Sequence, residues 1–142
     1  VKLDYLDQWN EHRRFAAQRY DDLLAPNDVR IPTKKPSINH VYHLYVIQHK
    51  RRNDLLGHLR QRKIYCGIHY PTPLHLVSPL TSARTIPRGA PVSSRLAHRI
   101  ASLPIYTEIT EWHIQRVVEN VLSVSHAGAD EVQDLRPAIE RV

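Results

Sequence analysis

The stretch Gly67–Leu76, with the sequence GIHYPTPLHL, is the part of the chain that decides its interpretation. It contains two prolines, two histidines and a tyrosine, and it has neither a helical nor a strand period. Proline fixes φ at about −65° and keeps the residue before it out of the α region, so Tyr70 and Thr72 are predicted to be extended. The stretch is therefore predicted to form a stiff loop. His69, Tyr70 and His75 can hydrogen-bond anionic or hydroxylated groups, which makes them candidate binding residues. The alternative is a proline-rich connector whose aromatic residues only pack.

Apolar residues in the first part of the chain recur at steps of mostly three or four. They are Leu3, Leu6, Trp9, Ala16, Ala17, Tyr20 and Leu24. The pattern predicts a long helix with one apolar face that is interrupted at Arg13. Pro26 and Asn27 are predicted to end this helix. Residues 28–39 contain two prolines and predict an extended connector.

Two short strands with a short helix between them are predicted within residues 41–68. Residues 41–47 are rich in β-branched and aromatic residues and predict a strand, and residues 64–68 predict a short second one. Asn53 or Asp54 is expected to cap the helix between them. Its inward-facing residues are predicted to be Leu55, Leu56 and Leu59.

Two more helices are predicted beyond the loop. Residues 77–91 show no period and are expected to be mobile. Ser93 or Ser94 is expected to cap a helix that runs to about Ser102, after which residues 103–106 are extended. The inward-facing residues of that helix are predicted to be Leu96, Ala97 and Ile100.

The last predicted helix has the clearest apolar stripe in the chain, with Thr110 as its N-cap. Its stripe consists of Ile114, Val117, Val118, Val121 and Leu122. His113 stands where a capping box would have glutamate or glutamine. Trp112 lies off the stripe, so it is expected to pack against a neighbouring segment or to contact another subunit. Residues 125–142 are predicted to form a loosely ordered tail.

Composition limits the possible classes of protein. The 142 residues are enough for one core, and the single Cys66 excludes an internal disulfide. Neither a membrane span nor a signal segment is recognisable, so a cytoplasmic protein is expected. The net charge of +6 comes from scattered basic pairs without a nucleic-acid-binding signature, so no nucleic-acid partner is predicted.

The histidines do not predict a metal site. His40 and His43 would point to opposite faces of a strand, and no carboxylate or cysteine completes a zinc site with His69 and His75. His43 is instead predicted to be a core histidine with one satisfied nitrogen.

Four segments follow one another in an order that resembles a known family. They are residues 40–47, residues 52–56, the loop Gly67–Leu76 and residues 102–110. The chain resembles the C-terminal part of the DegT/DnrJ/EryC1/StrS family, the pyridoxal-phosphate-dependent sugar aminotransferases. The resemblance covers most of residues 1–122.

The resemblance implies an α+β fold, the small C-terminal domain of a fold-type-I pyridoxal-phosphate aminotransferase. A short, mostly antiparallel sheet would be flanked by helices. Residues 1–25 would be the long helix linking to a large domain, residues 26–124 the small domain, and residues 125–142 the tail. The family usually has glycine where this chain has Lys63, so Lys63 is expected to adopt a positive φ.

The resemblance also implies that the catalytic residues lie elsewhere. In the family the lysine that forms the Schiff base lies upstream of the segment at which this chain begins, and none of the five lysines here has that context. Those lysines are Lys2, Lys34, Lys35, Lys50 and Lys63. The chain is expected to be a fragment or a split gene product that binds no pyridoxal phosphate and is inactive alone, although the full-length enzyme would use that cofactor.

The implied activity is transfer of an amine from an amino acid, commonly glutamate, to a keto-sugar linked to a nucleotide. The loop would reach an active site completed across a homodimer, where His69 and Tyr70 would hydrogen-bond the sugar or its phosphates. His75 would bind substrate or only orient the loop. Val77 and Thr107 depart from the family's usual glutamine and proline.

Two alternatives remain open for this chain. It could be a noncatalytic or degenerate interaction module that binds a large domain or a second subunit. It could also be a fragment of a related pyridoxal-phosphate-dependent sugar dehydratase, since a histidine replaces the lysine there.

Overall fold

The N-terminal helix forms where the apolar pattern predicts it. A computed structural model describes residues 1–27, 29–77 and 90–127. A 3₁₀ turn at Leu3–Tyr5 leads into helix α1, Leu6–Leu24. Leu3 and Leu6 are exposed. The buried residues of α1 are Ala16, Ala17, Tyr20 and Leu24.

Arg13 has a structural role that explains the charge within the apolar stripe. Its side chain is half-buried, and its Nη1 lies within hydrogen-bonding distance of three carbonyl oxygens. These belong to Tyr42 at 3.4 Å, His43 at 3.5 Å and Ile105 at 3.3 Å. The guanidinium thus satisfies backbone acceptors from two distant segments, and it ties α1 to both of them.

A two-stranded antiparallel sheet packs with the helices, which confirms the α+β fold class. Strand β1, Tyr45–Gln48, pairs with strand β2, Ile100–Leu103. Tyr45 lies opposite Leu103. Isolated bridges extend the pairing on both sides, from Arg30 to Gln48 and from Gly67 to Ser102.

Both predicted strands are shorter than expected. Strand β1 begins at Tyr45 rather than at residue 41, because Tyr42 adopts a positive φ of 47° and breaks the extended path. The predicted strand over residues 64–68 is reduced to the single bridge at Gly67.

Helix α2, Arg52–Gln61, begins earlier than its predicted caps. Arg51 is the N-cap and makes no side-chain capping bond, so the prediction of Asn53 or Asp54 was wrong. The Asn53 side chain instead accepts a bond from Arg52 Nε at 2.8 Å. Leu55 and Leu59 are buried and Leu56 is partly buried, as predicted.

The end of α2 has the positive-φ residue that the sequence predicts. Lys63 has a φ of 59°. Its N–H donates to the carbonyl of Arg60 at 3.0 Å, and the N–H of Ile64 donates to the carbonyl of Leu59 at 2.9 Å. This pair of bonds is a Schellman motif, and it brings the buried side chains of Ile64 and Leu59 to the same end of the helix.

Helix α3, Pro91–Ala97, is shorter than predicted. The expectation that it runs to about Ser102 was wrong, because Ile100–Leu103 pairs with β1 as strand β2. Pro91 lies in its first turn after the N-cap Ala90, so neither Ser93 nor Ser94 is the cap. The predicted mobile stretch of residues 77–91 lies largely outside the described residues.

Helix α4, Glu111–Ala127, has the predicted N-cap. The Thr110 carbonyl accepts the Ile114 N–H at 3.1 Å, and the Thr110 Oγ1 accepts the His113 N–H at 3.4 Å. His113 Nδ1 in turn lies 3.4 Å from the Thr110 N–H donor and 2.7 Å from Oγ1. An imidazole nitrogen therefore takes the place of the carboxylate in a capping box.

The core lies between α1, α2, α4 and the sheet. Helix α4 packs against both α1 and α2 through its buried residues, which are Ile114, Val117, Val118, Val121 and Val124. The Tyr20 and Tyr45 rings stack at 4.9 Å, and their hydroxyls donate to Pro104 O and Asp21 Oδ1. None of the described helices is long and apolar enough to cross a membrane.

Trp112 does not pack against a neighbouring segment among the described residues. Its side chain is 62% exposed, and the Arg116 guanidinium lies 5.4 Å from its ring centroid. The alternative of a subunit contact stays a prediction. The rest of the predicted tail beyond α4, residues 128–142, lies outside the described residues.

Candidate functional site

The first end of the Gly67–Leu76 loop is joined to strand β2. The N–H of Gly67 donates to the carbonyl of Ser102 at 3.1 Å, and the N–H of Ser102 donates back to Gly67 at 2.8 Å. His69 Nδ1 lies 2.8 Å from the hydroxyl of the same serine. A Cβ on Gly67 would lie 2.6 Å from His69 Cε1, so glycine is required for the imidazole to lie against the backbone.

The second end of the loop is joined to α3. A 3₁₀ turn at Leu74–Leu76 places His75 Nε2 at 3.0 Å from the hydroxyl of Ser94. This contact supports the interpretation of His75 as a residue that orients the loop. Helix α3 and strand β2 follow one another closely in the chain, so both anchors of the loop rest on one unit of structure.

Tyr70 lies between the two anchors and is 73% exposed. The His69–Tyr70 peptide bond is cis, and the two rings meet edge to face with centroids 5.6 Å apart. Tyr70 also lines a groove of about 560 Å³ between the loop and α3, whose walls include Pro71, Leu74 and Leu96. The structure thus brings His69 and Tyr70 together and places His75 at the far end of the loop.

The two serines that hold the loop were missed by the sequence analysis. Ser102 is buried, with 4% of its surface exposed, and it stands between apolar residues of a strand. A small hydroxyl residue in an apolar run is a signal for a buried hydrogen-bond acceptor or donor, because burying a hydroxyl without a partner is costly. Ser94 gives no such signal, since it follows another serine in a polar turn of α3.

The prediction that His43 is a core histidine was wrong. His43 is exposed, because the positive φ of Tyr42 shifts the strand to begin at Tyr45. Among the residues whose burial is described, the buried histidine is His49, with Nε2 at 3.1 Å from the Ser125 hydroxyl and Nδ1 accepting the Arg51 N–H at 3.1 Å. Within residues 1–27, 29–77 and 90–127, no three potential metal ligands form a group.

The described lysines do not fit the imine-forming lysine of a pyridoxal-phosphate enzyme. An imine forms from a neutral amine in a shielded site. Lys34 Nζ lies 2.9 Å from Asp21 Oδ2, and the hydrogen bond to that carboxylate raises the pKa of Lys34. The other four lysines are exposed. They are Lys2, Lys35, Lys50 and Lys63.

Comparison with known proteins identifies the family of the chain. Residues 1–122 match the DegT/DnrJ/EryC1/StrS aminotransferase family. The chain belongs to this family. The crystal structure of a DegT/DnrJ/EryC1/StrS aminotransferase from Brucella abortus superposes with a TM-score of 0.83 at 28% identity, over 87% of this chain and 33% of that one.

Two relatives are 34% identical to the chain. One is the erythromycin biosynthesis sensory transduction protein EryC1 of Saccharopolyspora erythraea, matched over 91% of this chain. The other is the dTDP-3-amino-3,4,6-trideoxy-alpha-D-glucose transaminase of Micromonospora megalomicea subsp. nigra, matched over 87%. The chain spans 34% of the length of each relative.

Proposed function

We propose that the chain is the small C-terminal domain of a sugar aminotransferase and that its loop contacts a nucleotide-linked keto-sugar. The whole enzyme would transfer an amine to that sugar from an amino acid, commonly glutamate. The observation that carries the proposal is the anchored loop, which presents His69 and Tyr70 side by side. Membership of the family and the similarity to a dTDP-amino-sugar transaminase support it.

The hydrogen bonds of His69 define what its imidazole can offer a substrate. Nδ1 is engaged with the Ser102 hydroxyl, and Nε2 makes no hydrogen bond within the part of the chain that the structure describes. If Nδ1 carries the proton, Nε2 accepts a bond from a sugar hydroxyl. If Nδ1 accepts from Ser102, Nε2 donates to a sugar or phosphate oxygen. Either tautomer gives one directed hydrogen bond.

Tyr70 supplies the second contact. Its hydroxyl can donate to an anionic oxygen, and its exposed ring offers a flat apolar surface beside the groove. A sugar has polar edges and apolar faces, so a phenol beside an imidazole suits its recognition. The anchors at Ser102 and Ser94 hold these groups in place before a ligand arrives, which reduces the ordering cost of binding.

The cofactor would belong to the whole enzyme. Pyridoxal phosphate supplies an electron sink when bound, and the lysine and phosphate-binding groups would come from a large domain in a cytoplasmic homodimer. This chain's own contribution would be substrate binding, and the chain alone would be inactive.

The test uses the complete gene product that contains residues 1–142. Its amine transfer from L-glutamate to a dTDP-linked keto-sugar would be measured, together with the absorbance of bound pyridoxal phosphate. His69→Ala and Tyr70→Phe should each raise KM about tenfold, the effect of losing a hydrogen bond worth roughly 1.4 kcal/mol, and leave the cofactor spectrum unchanged. Tyr65→Phe is the matched control, because Tyr65 is 74% exposed and lies outside the loop.

A noncatalytic role is the second candidate function. The similarity to a protein named for sensory transduction favours it. A gene product without amine transfer that binds a separate large domain would establish this alternative and overturn the first proposal. Amine transfer that is unaffected by the loop variants would retain the enzyme assignment and remove the loop from it.

A further inference from the structure

A cleft between α1 and the connector that precedes β1 is rich in cations. Its volume is about 410 Å³. We define the connector cleft by its functional lining residues, which are Arg14, Lys34, Lys35, Asn39, His40 and Tyr42. We propose that the connector cleft binds a small metabolite through a phosphate or diphosphate group. None of its residues belongs to the Gly67–Leu76 loop, so this site is separate from the proposed sugar site.

The positive charge of Lys34 is already neutralised. Its Nζ lies 2.9 Å from Asp21 Oδ2 and 2.7 Å from Gln18 Oε1. The other oxygen of Asp21 accepts the Tyr45 hydroxyl at 2.7 Å. Both carboxylate oxygens of Asp21 therefore already have a partner, one in the core and one in the connector.

Arg14 and Lys35 supply the charge that a ligand would meet. Arg14 is half-buried, and its guanidinium makes no hydrogen bond or ion pair within residues 1–27, 29–77 and 90–127. The Lys35 ammonium also has no partner in those ranges. Two cations that share a cleft repel one another, and an anion with several oxygens relieves this repulsion while accepting from both. Phosphate geometry suits a guanidinium in particular.

The lining of the cleft also includes aromatic rings, and Lys34 Nζ lies 5.7 Å from the centroid of the Tyr42 ring. Tyr42 has a φ of 47°, and its N–H donates to His40 Nδ1 at 2.9 Å. The two rings lie 4.3 Å apart. His40 Nε2 and the Asn39 amide remain available to a ligand in the described part of the chain. A cleft that combines cations with a tilted pair of aromatic rings suits an organic phosphate better than a bare metal or a neutral sugar.

The test is a titration of the 142-residue chain with inorganic pyrophosphate and, separately, with dTDP. Binding would be followed by isothermal calorimetry and by the amide NMR shifts of Asn39 and His40. Arg14→Gln and Lys35→Gln should each weaken binding at least tenfold. Arg60→Gln is the matched control, since Arg60 is exposed on α2, and it should leave the Kd unchanged.

Each result decides the proposal. Equal losses in Arg14→Gln, Lys35→Gln and Arg60→Gln would show diffuse attraction to a basic surface and would overturn it. Absence of binding to both probes at low ionic strength would do the same, as would shifts confined to the Gly67–Leu76 loop. Tighter binding of dTDP than of pyrophosphate, with loss in both cleft variants, would assign an organic diphosphate rather than a free one. Unfolding curves of both cleft variants would confirm that they fold.

Discussion

Lys63 holds the backbone conformation that lets the chain reverse after α2. A side chain with a Cβ at a φ of 59° costs about 1 kcal/mol relative to glycine, because the Cβ approaches the following carbonyl oxygen. The carbonyl of Arg62, beside Lys63, accepts a hydrogen bond from Arg116 Nη2 at 2.9 Å.

We predict that Lys63→Gly raises the free energy of unfolding by about 1 kcal/mol and that Lys63→Val lowers it, because a β-branched residue tolerates positive φ least. Urea denaturation measures both changes. Arg62→Gly is the control, since Arg62 has an ordinary φ of −93° and should lose stability with glycine. A gain of the same size at both positions would contradict the argument.

Asp21 joins two segments to α1 through one carboxylate. It accepts the Tyr45 hydroxyl from the core and the Lys34 ammonium from the connector. Asp21→Ala leaves the buried phenol without an acceptor, so the free energy of unfolding should fall by about 1–3 kcal/mol. Asp22→Ala is the neighbouring control, because its carboxylate is 47% exposed and bonds only surface groups. Thermal unfolding of the two variants compares them, and equal losses would refute a special role for Asp21.

Residue-level features differed in how far the sequence could predict them. The positive φ of Lys63 was predictable because the resemblance to the family implies a glycine at this position. The positive φ of Tyr42 was not, since a tyrosine gives no signal for a conformation that depends on the bond from its N–H to His40. Arg13 looked like an interruption of the stripe, because its three carbonyl partners come from distant segments of the chain.

At the scale of secondary-structure elements, the local spacing of apolar residues gave a wrong prediction where a strand pairs with a segment distant in sequence. Leu96, Ala97 and Ile100 have helical spacing, yet the chain leaves the helix after Ala97. The segment from Ile100 becomes a strand because Tyr45–Gln48, more than fifty residues earlier, offers a partner edge. The long helices α1 and α4 were predicted well, since each carries its apolar stripe and its ends within its own sequence.

A different serine hydroxyl holds each end of the Gly67–Leu76 loop, so the two hydrogen bonds can be removed separately. Ser102→Ala removes the hydroxyl beside His69, and Ser94→Ala removes the hydroxyl beside His75. We predict faster amide hydrogen exchange at His69 and Tyr70 in the first variant and at His75 in the second, by about fivefold to tenfold for a bond worth roughly 1 kcal/mol. Each variant serves as the control of the other. Identical exchange patterns in both would show that the loop moves as one body.

For the whole molecule, the packing of the helices contributes more stability than the sheet does. Two four-residue strands give little independent stability, so the core depends on α1 and α2 packing against α4. The fold class was predictable because the order of four sequence segments carries it. The site was predictable only in part, because Ser94 and Ser102 reach the loop through tertiary contacts that no spacing records.

Burial of the Cys66 thiol makes the stability of the folded molecule depend on pH in the alkaline range. Burial raises the pKa of Cys66 to about 12, whereas an unfolded cysteine has a pKa of about 8.5. The folded state therefore keeps a proton that the unfolded state loses. Stability from this group is fully present below about pH 8, and it falls as the pH rises from about 8.5 to about 12. Burial also raises the pKa of Tyr20 and of Tyr45, whose contributions begin only above about pH 9.

The interval from pH 8 to pH 9 therefore isolates Cys66. We predict that the free energy of unfolding falls there by at most about 1.4 kcal/mol per pH unit. Cys66→Ala should remove most of this slope while leaving the steeper loss above pH 10 that the two tyrosines cause. Urea unfolding at pH 7, 8, 9 and 10 measures the slope for both proteins. An unchanged slope in Cys66→Ala would show that the thiol is not the group that titrates, because alanine at this position has no proton to lose.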